Sequence, residues 1–450
     1  MGFFDNLKSS LAETGQDLSQ KAKDTTEIFR LTNLNKTKEK EIEKVVLVGI
    51  DTGDGEFDIE SCLDELGDLA KTAGAEVVGR LIQKREAINR ATYLGKGKIE
   101  ELKNYIEMVE ATGIICDDEL NPNQIRNLEN ALNTKVMNRT LLILDIFAQR
   151  ASSAEGKVQV ELAQLKYNLA HLTGKGKEMS RLGGGIGTRG PGEKKLETDR
   201  RNIADRIADL NRELKEIEKH RGVLREKRMG TGVPVIALVG YTNAGKSTLL
   251  NTLTGAGVLA EDKLFATLDT TTRAVETESG AKYLFTDTVG FIQKLPHNLI
   301  KAFRATLEEA KYADILVHVV DASNPKRNEQ MNIVYQTLKE LGADNKPVIT
   351  VYNKIDKEGV EKPLFTDKRA LETISISAKK GLNIDTLLNK TEEIIKSFKR
   401  SIKVIIPYNM GQLLSVIHGS CEITVSENRD EGYYFELYAD NEAENRLKQY

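Results

Sequence analysis

The sequence predicts an α/β fold: a P-loop nucleotide-binding domain, a small N-terminal α/β domain, an antiparallel helical hairpin linker and a small C-terminal α+β module. Three observations predict this fold. Short apolar runs alternate with amphipathic segments from residue 43 onward, which is typical of a mainly parallel sheet covered by helices. Two later segments carry apolar residues at heptad spacing. A glycine-rich G-x-x-x-x-G-K-S loop follows a buried strand.

The composition excludes several classes of protein. At 450 residues the chain is long enough for two or more domains. Its 65 basic and 68 acidic residues nearly cancel, so any affinity for nucleic acid must come from a local patch. The three cysteines lie far apart without a C-x-x-C pair, which argues against a disulfide framework or a zinc site. No apolar run approaches the length of a membrane span, and the N-terminus lacks a signal-peptide pattern.

Residues 1–42 look like a separate N-terminal extension and linker. Phe4, Leu7, Leu11 and Leu18 recur at helical spacing, and a mixed-charge stretch, KTKEKEIEK, follows them. Two interpretations stay open: a solvated amphipathic helix, or a helix that docks on a partner or a membrane surface.

Residues 43–149 are predicted to form the N-terminal α/β domain. Apolar runs predict strands, and amphipathic runs that end near glycine or asparagine predict helices. The expected strands are 44–50, 75–82 and 114–116, and the expected helices are 57–74, 96–113 and 123–133.

Residues 150–230 are predicted to form a helical hairpin with a glycine-rich tip. One stripe of apolar residues runs from Val158 to Leu172, and a second repeats every seven residues from Leu196 to Leu224. Between them, residues 173–195 hold eight glycines and six basic residues against two acidic ones. A long basic loop on a helical arm suits a phosphate-rich target such as RNA. The predicted rRNA contacts are Lys175, Lys177, Arg181, Arg189, Lys194 and Lys195.

Residues 231–400 carry the nucleotide motifs in the order of a P-loop GTPase domain. The strand VIALV leads into GYTNAGKS and then into a leucine-rich helix. Lys246 would neutralise the β and γ phosphates, and the Ser247 hydroxyl would bind Mg²⁺. After the next predicted strand, Asp287 would support the Mg²⁺ shell and the Gly290 N–H would sense the γ-phosphate. Between them, a threonine-rich loop at 264–273 is the candidate switch I.

Two further motifs predict recognition of guanine. A predicted strand ending in TVY runs into NKID, in which Asn353 and Asp356 are the predicted base readers. A carboxylate accepts from guanine N1–H and the 2-amino group, and adenine offers neither donor. The loop ISISAKKG would cover the base. The predicted nucleotide contacts are therefore Gly240, Tyr241, Thr242, Asn243, Ala244, Gly245, Lys246, Ser247, Asp287, Thr288, Val289, Gly290, Asn353, Lys354, Ile355, Asp356, Ser377, Ala378 and Lys379.

The C-terminal residues 401–450 are predicted to form the small α+β module, with strands at 401–408 and 422–427 and a helix at 410–419. Two histidines lie near the nucleotide motifs. His318 falls in a buried strand and is expected to be a core residue, and His297 is expected to make a local contact rather than to catalyse.

The combination GYTNAGKST, LFATLD, DTVGFI, NKID and SAK resembles the HflX family of translational GTPases. So do residues 140–172 followed by GGGIGTRGPGE, and QKREAINRATYLGKGKIEEL upstream. The resemblance covers residues 43–450. The family usually has proline after the switch I aspartate, where this chain has Thr270, and aspartate where it has Asn138.

The resemblance implies a cytoplasmic GTPase, monomeric when free, that binds the ribosome and its rRNA, mainly at the large subunit. Family members split ribosomes or rescue stalled ones under stress in the GTP-bound state, and the glycine-rich tip is similar to the part that approaches the ribosomal catalytic centre. The resemblance also places switch I at Phe265, Ala266, Thr267, Leu268 and Asp269, with Thr267 as the second Mg²⁺ ligand beside Ser247.

Phe291 stands where Ras-like GTPases have the glutamine that orients the attacking water. No side chain except Lys246 is therefore assigned to catalysis, and three sources are open: Lys246 with Mg²⁺, K⁺ held at Asn243, and the ribosome. An alternative function also stays open, a membrane-surface or signalling GTPase that acts through the N-terminal helix.

Overall fold

The computed structural model describes residues 42–53, 58–172, 191–229, 233–255, 264–265, 270–296, 308–357, 359, 366–398, 400–439, 443 and 446–447. The chain divides into two compact units, Met1–Glu43 and Lys44–Tyr450. Of the first unit only residues 42 and 43 are described, so the predicted amphipathic helix lies outside the described residues. Within the described part, no helix is long and apolar enough to cross a membrane.

The N-terminal part is a four-stranded parallel sheet with the strand order β2-β1-β3-β4. The predicted strands and helices are present within a few residues of their expected ends. The sequence interpretation missed β4 and the helix after it, because β4 has only two apolar residues, Val136 and Met137, between a lysine and an asparagine. The elements are β1 Lys44–Asp51, α1 Ile59–Ala73, β2 Glu76–Lys84, α2 Lys96–Met108, β3 Gly113–Cys116, α3 Pro122–Leu132, β4 Lys135–Asn138 and α4 Arg139–Arg150.

Local chemistry explains where these helices begin and end. The Asp58 side chain accepts a hydrogen bond from the Ser61 N–H at the start of α1, and Gly74 ends the helix at φ 92°. Asn121 and Gln124 form a reciprocal capping box on α3. Asn138, where the resembled family has aspartate, caps α4 by accepting from the Leu141 N–H at 2.9 Å. An amide oxygen can therefore fill the N-cap position here.

The hairpin consists of α5 (Ala154–His171) and the longer α6 (Pro191–Met229). Leu210 is fully buried against Val158 and Leu162, as the heptad pattern predicts. Two ion pairs fix the antiparallel direction, because Glu161 pairs with Arg206 at 2.7 Å and the earlier Glu155 pairs with the later Arg221 at 2.7 Å.

The P-loop domain is a six-stranded sheet with the order β10-β9-β8-β5-β7-β6, parallel except for the edge strand β6. β5 lies inside the sheet between β8 and β7, so the loop after it opens at the carboxyl edge, where ligands bind in such sheets. The elements are β5 Val235–Gly240, α7 Lys246–Thr254, β6 Thr271–Glu276, β7 Lys282–Asp287, α8 Glu309–Tyr312, β8 Ile315–Asp321, α9 Arg327–Glu340, β9 Val348–Asn353, β10 Glu372–Ser375 and α10 Ile384–Phe398.

The C-terminal module is a three-stranded antiparallel sheet with the order β11-β13-β12 and a helix on one face. Its elements are β11 Arg400–Ile406, α11 Gln412–Ser420, β12 Glu422–Arg429 and β13 Gly432–Ala439. The sequence interpretation predicted β11, α11 and β12 but did not separate β13, the central strand.

One buried charge cluster joins the N-terminal sheet to the P-loop domain. Arg139, at the start of α4, is 2% exposed. Its guanidinium donates to Asp117 at 2.6 Å and to Glu65 at 2.7 Å, and also to the Gln293 carbonyl at 3.4 Å. Lys294 pairs with Asp117 from the P-loop side. The contacts of Arg139 with Gln293 and of Lys294 with Asp117 join residues more than 150 positions apart.

The two carboxylates of this cluster differ in how far nearby positive charges offset the effect of burial on the pKa. Burial raises the pKa of Asp117, but the positive charges of Arg139 and Lys294 outweigh it and hold the pKa below the ordinary value. Burial also raises the pKa of Glu65, and here the single charge of Arg139 does not overcome it. Arg139 is therefore the cation on which both buried carboxylates depend.

Replacing Arg139 with alanine is expected to destabilise the protein by about 3–5 kcal/mol, because two buried carboxylates lose their shared partner. Denaturant unfolding measures the change. The matched control is Arg212→Ala, whose side chain is 79% exposed in its pair with Asp209 and whose loss should cost about 1 kcal/mol or less. Equal effects of the two substitutions would contradict the buried-cluster account.

Candidate nucleotide-binding site

Two glycines of the GYTNAGKS loop have no room for a side chain. Gly240 has φ 155°, and a Cβ there would lie 2.2 Å from the Val319 carbonyl oxygen. Gly245 has φ 97°, and a Cβ there would lie 2.3 Å from the Asn353 amide nitrogen. The loop therefore packs directly on the ends of β8 and β9, which brings its N–H groups to the carboxyl edge of the sheet.

Lys246 begins α7 and is 6% exposed. Its ammonium group donates to the carbonyls of Gly240 at 3.1 Å and Tyr241 at 2.9 Å, so it bends back over the loop. Burial lowers the pKa of this lysine to about 8, against the opposing charge of Asp287. A phosphate group in the loop would supply the negative charge that this buried ammonium needs.

Ser247 and Asp287 meet as the motifs predict. The Ser247 hydroxyl donates to the fully buried Asp287 carboxylate at 2.6 Å, which joins α7 to the end of β7. Hydroxyl and carboxylate oxygens are the ligand types that Mg²⁺ prefers. Among the described residues no group of three or more His, Cys, Asp or Glu side chains could hold a metal ion by itself.

The segment after Asp287 lies directly on the P-loop. The Thr242 N–H donates to the Phe291 carbonyl at 2.7 Å, and the Phe291 N–H donates to the Gly240 carbonyl at 3.1 Å. A Cβ on Gly290 would lie 2.8 Å from the Thr242 Cα and 3.0 Å from the Lys246 ammonium. Glycine is therefore required at position 290, where the backbone comes closest to the predicted γ-phosphate position.

Phe291 is 1% exposed and belongs to a core cluster that also contains residues of the N-terminal domain. Two polar contacts reinforce this packing. The Tyr241 hydroxyl donates to Glu65 and accepts from the Gln293 N–H, the latter at 2.8 Å. A side chain buried in this way cannot orient a water molecule.

Hydrogen bonds from neighbouring loops hold the predicted base-reading residues in place. Asn353 donates to the Ala244 carbonyl at 2.9 Å and accepts from the Ala378 N–H at 2.9 Å, so it joins the P-loop to the SAK loop. The Ser377 hydroxyl donates to Asp356 at 2.6 Å, and this bond is the main cause of the lowered pKa of that carboxyl. Asp356 is therefore held as an anion, which is the form that the predicted contact with guanine needs.

Lys354, between the two base readers, also contacts the P-loop. Its ammonium group donates to the Asn243 carbonyl at 2.7 Å and pairs with Asp321 at 2.7 Å. Asn243 adopts φ 59°, a left-handed conformation that asparagine tolerates better than most residues.

Some predicted site residues lie outside the described residues. Of the candidate switch I loop, residues 264, 265 and 270–273 are described, and the last three of these begin the strand β6 rather than belonging to a loop. Phe265 packs edge-on against Phe147 of α4 with ring centroids 4.8 Å apart. Ala266, Thr267, Leu268 and Asp269 are not described, and neither is His297. Of the predicted rRNA contacts, four lie in the undescribed stretch 173–190; Lys194 and Lys195 lie in α6, with undescribed side chains.

His318 is a core residue, as the sequence predicts. It is 1% exposed, packs edge-on against Tyr335 at 5.0 Å, and burial lowers its pKa to about 3. The sequence interpretation did not find the contacts of Glu65 and Arg139 with the site. Their partners lie far away in the chain, and no local motif marks them.

Asp356→Asn is expected to weaken GDP binding by about 10- to 100-fold, because one hydrogen bond to a charged acceptor is lost and one guanine donor then faces an amide N–H. The same variant should bind xanthosine diphosphate more tightly than the parent does, since xanthine carries a carbonyl at C2. Fluorescence titration measures both affinities. Asp344→Asn, an exposed control on the same domain, should change neither. If Asp356→Asn keeps the parent's ratio of GDP affinity to xanthosine diphosphate affinity, the assignment of Asp356 as a base-reading residue is wrong.

The chain matches three family models along its length. Residues 60–148 match "GTP-binding GTPase N-terminal", residues 150–228 match "GTP-binding GTPase Middle Region", and residues 235–354 match "50S ribosome-binding GTPase". These matches fall on the N-terminal sheet, on the hairpin, and on the P-loop domain as far as Lys354.

Similar proteins agree with these matches. The GTPase HflX of Lacrimispora saccharolytica is 54% identical over 92% of this chain and 97% of its own length. That of Escherichia coli is 40% identical over 78% of this chain and 83% of its own length. Among solved structures, a GTP-binding protein from Sulfolobus solfataricus in complex with GDP is 28% identical over 79% of this chain and 99% of that chain, with a TM-score of 0.40. The three family models and the two HflX relatives together show that the chain belongs to the HflX family of GTPases and hydrolyses GTP to GDP and phosphate.

Proposed function

We propose that this GTPase binds the ribosome, mainly its large subunit and rRNA, in the GTP-bound state, and splits or rescues ribosomes under stress in the cytoplasm. The observation that carries the proposal is the match of residues 235–354 to the 50S ribosome-binding GTPase model. The basic, glycine-rich sequence between α5 and α6 supports it, because such a loop on a helical arm suits folded RNA.

We further propose that Ser247 and Thr267 hold Mg²⁺, with Asp287 supporting its shell. The 2.6 Å contact between Ser247 and Asp287 fits such a site, since both present oxygen donors at the start of α7. When bound, Mg²⁺ neutralises charge on the β and γ phosphates. Lys246 would bind the same phosphates, and the Gly290 N–H would sense the γ-phosphate.

Phe291 sets the expected rate of the free protein. Because this side chain is buried, the attacking water receives no help from the position where Ras-like GTPases have glutamine. Lys246 and the loop N–H groups still stabilise charge. Intrinsic hydrolysis should therefore be slow, and the GTP state should persist until the protein meets a ribosome.

Large ribosomal subunits are expected to raise the rate of GTP hydrolysis by about 10³-fold or more, the range seen when a partner completes a GTPase site. Phosphate release with large subunits, small subunits or neither measures this effect. Failure of the large subunit to accelerate hydrolysis would overturn the proposal.

The glycine-rich tip should account for much of the binding. Arg181→Ala combined with Arg189→Ala is expected to weaken cosedimentation with large subunits and to reduce its salt dependence. Arg212→Ala combined with Lys215→Ala removes the same charge from the exposed side of α6 and should have little effect. Equal losses from both double variants would assign the binding to charge in general rather than to the tip.

K⁺ is the second candidate for the missing catalytic group. If the Asn243 side chain helps to hold K⁺, hydrolysis should be faster in KCl than in NaCl, and Asn243→Gly should remove the difference. Glycine is the right replacement because residue 243 has φ 59°. Asn328→Ala, on the exposed side of α9, is the control. Equal rates in the two salts, unchanged by Asn243→Gly, would remove K⁺ from the account.

A further inference from the structure

Gln293 lies three residues beyond Gly290, and side chains bind both polar groups of its main chain. The Gln293 N–H donates to the Tyr241 hydroxyl at 2.8 Å, and the Arg139 guanidinium donates to the Gln293 carbonyl at 3.4 Å. Gln293 is 5% exposed and lies outside the helices and strands. A buried main-chain group without a partner destabilises a protein, so the position of this residue depends on the two side chains.

Tyr241 joins the P-loop to this segment. It is the second residue of the loop, and its carbonyl accepts from the Lys246 ammonium at 2.9 Å. Its main chain forms a parallel bridge with Phe291, and its hydroxyl reaches two residues further along the same segment, to Gln293. One residue therefore contacts both the lysine that is predicted to bind the β and γ phosphates and the chain that follows Gly290.

Two hydrogen bonds fix the orientation of the Tyr241 hydroxyl. Because a main-chain N–H can only donate, the tyrosine oxygen accepts from Gln293, and its proton goes to the second partner, Glu65. Burial raises the pKa of Tyr241 well above its ordinary value, so the hydroxyl keeps this proton. Glu65 lies on α1 of the N-terminal domain and accepts in turn from Arg139 at 2.7 Å. A residue of the N-terminal domain thus orients a side chain of the P-loop.

We propose that Tyr241 is a positioning residue for GTP hydrolysis, and that Glu65 of the N-terminal domain acts through it. The tyrosine hydroxyl holds Gln293, and with it the turn that contains Gly290, in a fixed place on the P-loop. The inference rests on the proposed role of the Gly290 N–H as the γ-phosphate sensor. A displacement of about 1 Å can slow an enzymatic reaction strongly, so a sensor held in place favours hydrolysis. GDP has no γ-phosphate, and its binding should not depend on these contacts.

Tyr241→Phe removes the hydroxyl and keeps the ring. Single-turnover hydrolysis by the full chain without ribosomes should fall about 10-fold, and affinity for a non-hydrolysable GTP analogue about 5-fold, because one hydrogen bond to the sensor segment is lost. Affinity for GDP should match the parent, which also shows that the site is folded. Tyr335→Phe is the matched control, since its hydroxyl donates to the Asp367 carboxylate at 2.6 Å in the same domain, and it should change none of the three quantities.

A second variant tests the part assigned to Glu65. Glu65→Ala should also lower the ratio of analogue affinity to GDP affinity, and adding Tyr241→Phe to it should lower this ratio little further, because both changes remove one contact. The inference is overturned if Tyr241→Phe keeps the parent's ratio, if Tyr335→Phe changes the ratio equally, or if the two single losses multiply in the double variant. A purely structural role would weaken both nucleotides together.

Gly290→Ala separates this inference from the sensor role on which it rests. The added methyl group would displace the turn from the P-loop, so affinity for the analogue should fall and affinity for GDP should not. If Gly290→Ala binds the analogue like the parent, the sensor role and this inference are both wrong. If Gly290→Ala loses analogue affinity and Tyr241→Phe does not, only the positioning role of Tyr241 is wrong.

Discussion

The two backbone hydrogen bonds between the P-loop and the D-x-x-G segment are the contacts on which the rest of the site depends. They join Thr242 to Phe291 and Phe291 to Gly240, and so hold the γ-phosphate sensor directly against the loop that binds phosphate. Because the two backbones lie this close, position 290 must be glycine. The same closeness places the Lys246 ammonium and the Thr242 side chain at one point beside the expected γ-phosphate.

This sensor shares its hydrophobic core with the N-terminal domain. Phe291 packs in one buried cluster with residues of α1 and α4, and Tyr241 contacts Glu65 through its hydroxyl. Lys294, three residues beyond Phe291, pairs with Asp117 at the end of β3. Any movement of the D-x-x-G segment must therefore alter contacts with buried charges, so the energy of the nucleotide site depends on residues outside the P-loop domain. We propose the domain boundaries 43–149, 150–230, 231–400 and 401–450 as divisions of the sequence. The domains that they separate are not energetically independent of one another.

The structure brings several residues of the predicted nucleotide site together, because each motif is a local pattern with a fixed chemical purpose. Asn353 ends β9, and Asp356 and Ser377 follow β9 and β10, so all three lie at the carboxyl edge of the same sheet. The sequence did not predict β4, whose only apolar residues are Val136 and Met137, or the strands β6, β10 and β13. It also did not predict the Arg139 cluster, because its members are ordinary charged residues until the fold buries them together. It did not predict the buried hydroxyl of Thr242 either, since only the fold shows that this group has no hydrogen-bond partner among the described residues.

In this GTPase, backbone hydrogen bonds hold the predicted γ-phosphate sensor in place. Phe291 stands where a water-orienting glutamine would be. We expect such an enzyme to hold GTP until a partner completes the site, and the proposed partner is the large ribosomal subunit. The most direct measurement is sedimentation of the full chain with large subunits at physiological salt, in GDP and in a non-hydrolysable GTP analogue. We expect the protein to pellet with the subunits in the analogue and to stay in the supernatant in GDP. Equal distribution in the two nucleotides would contradict the account.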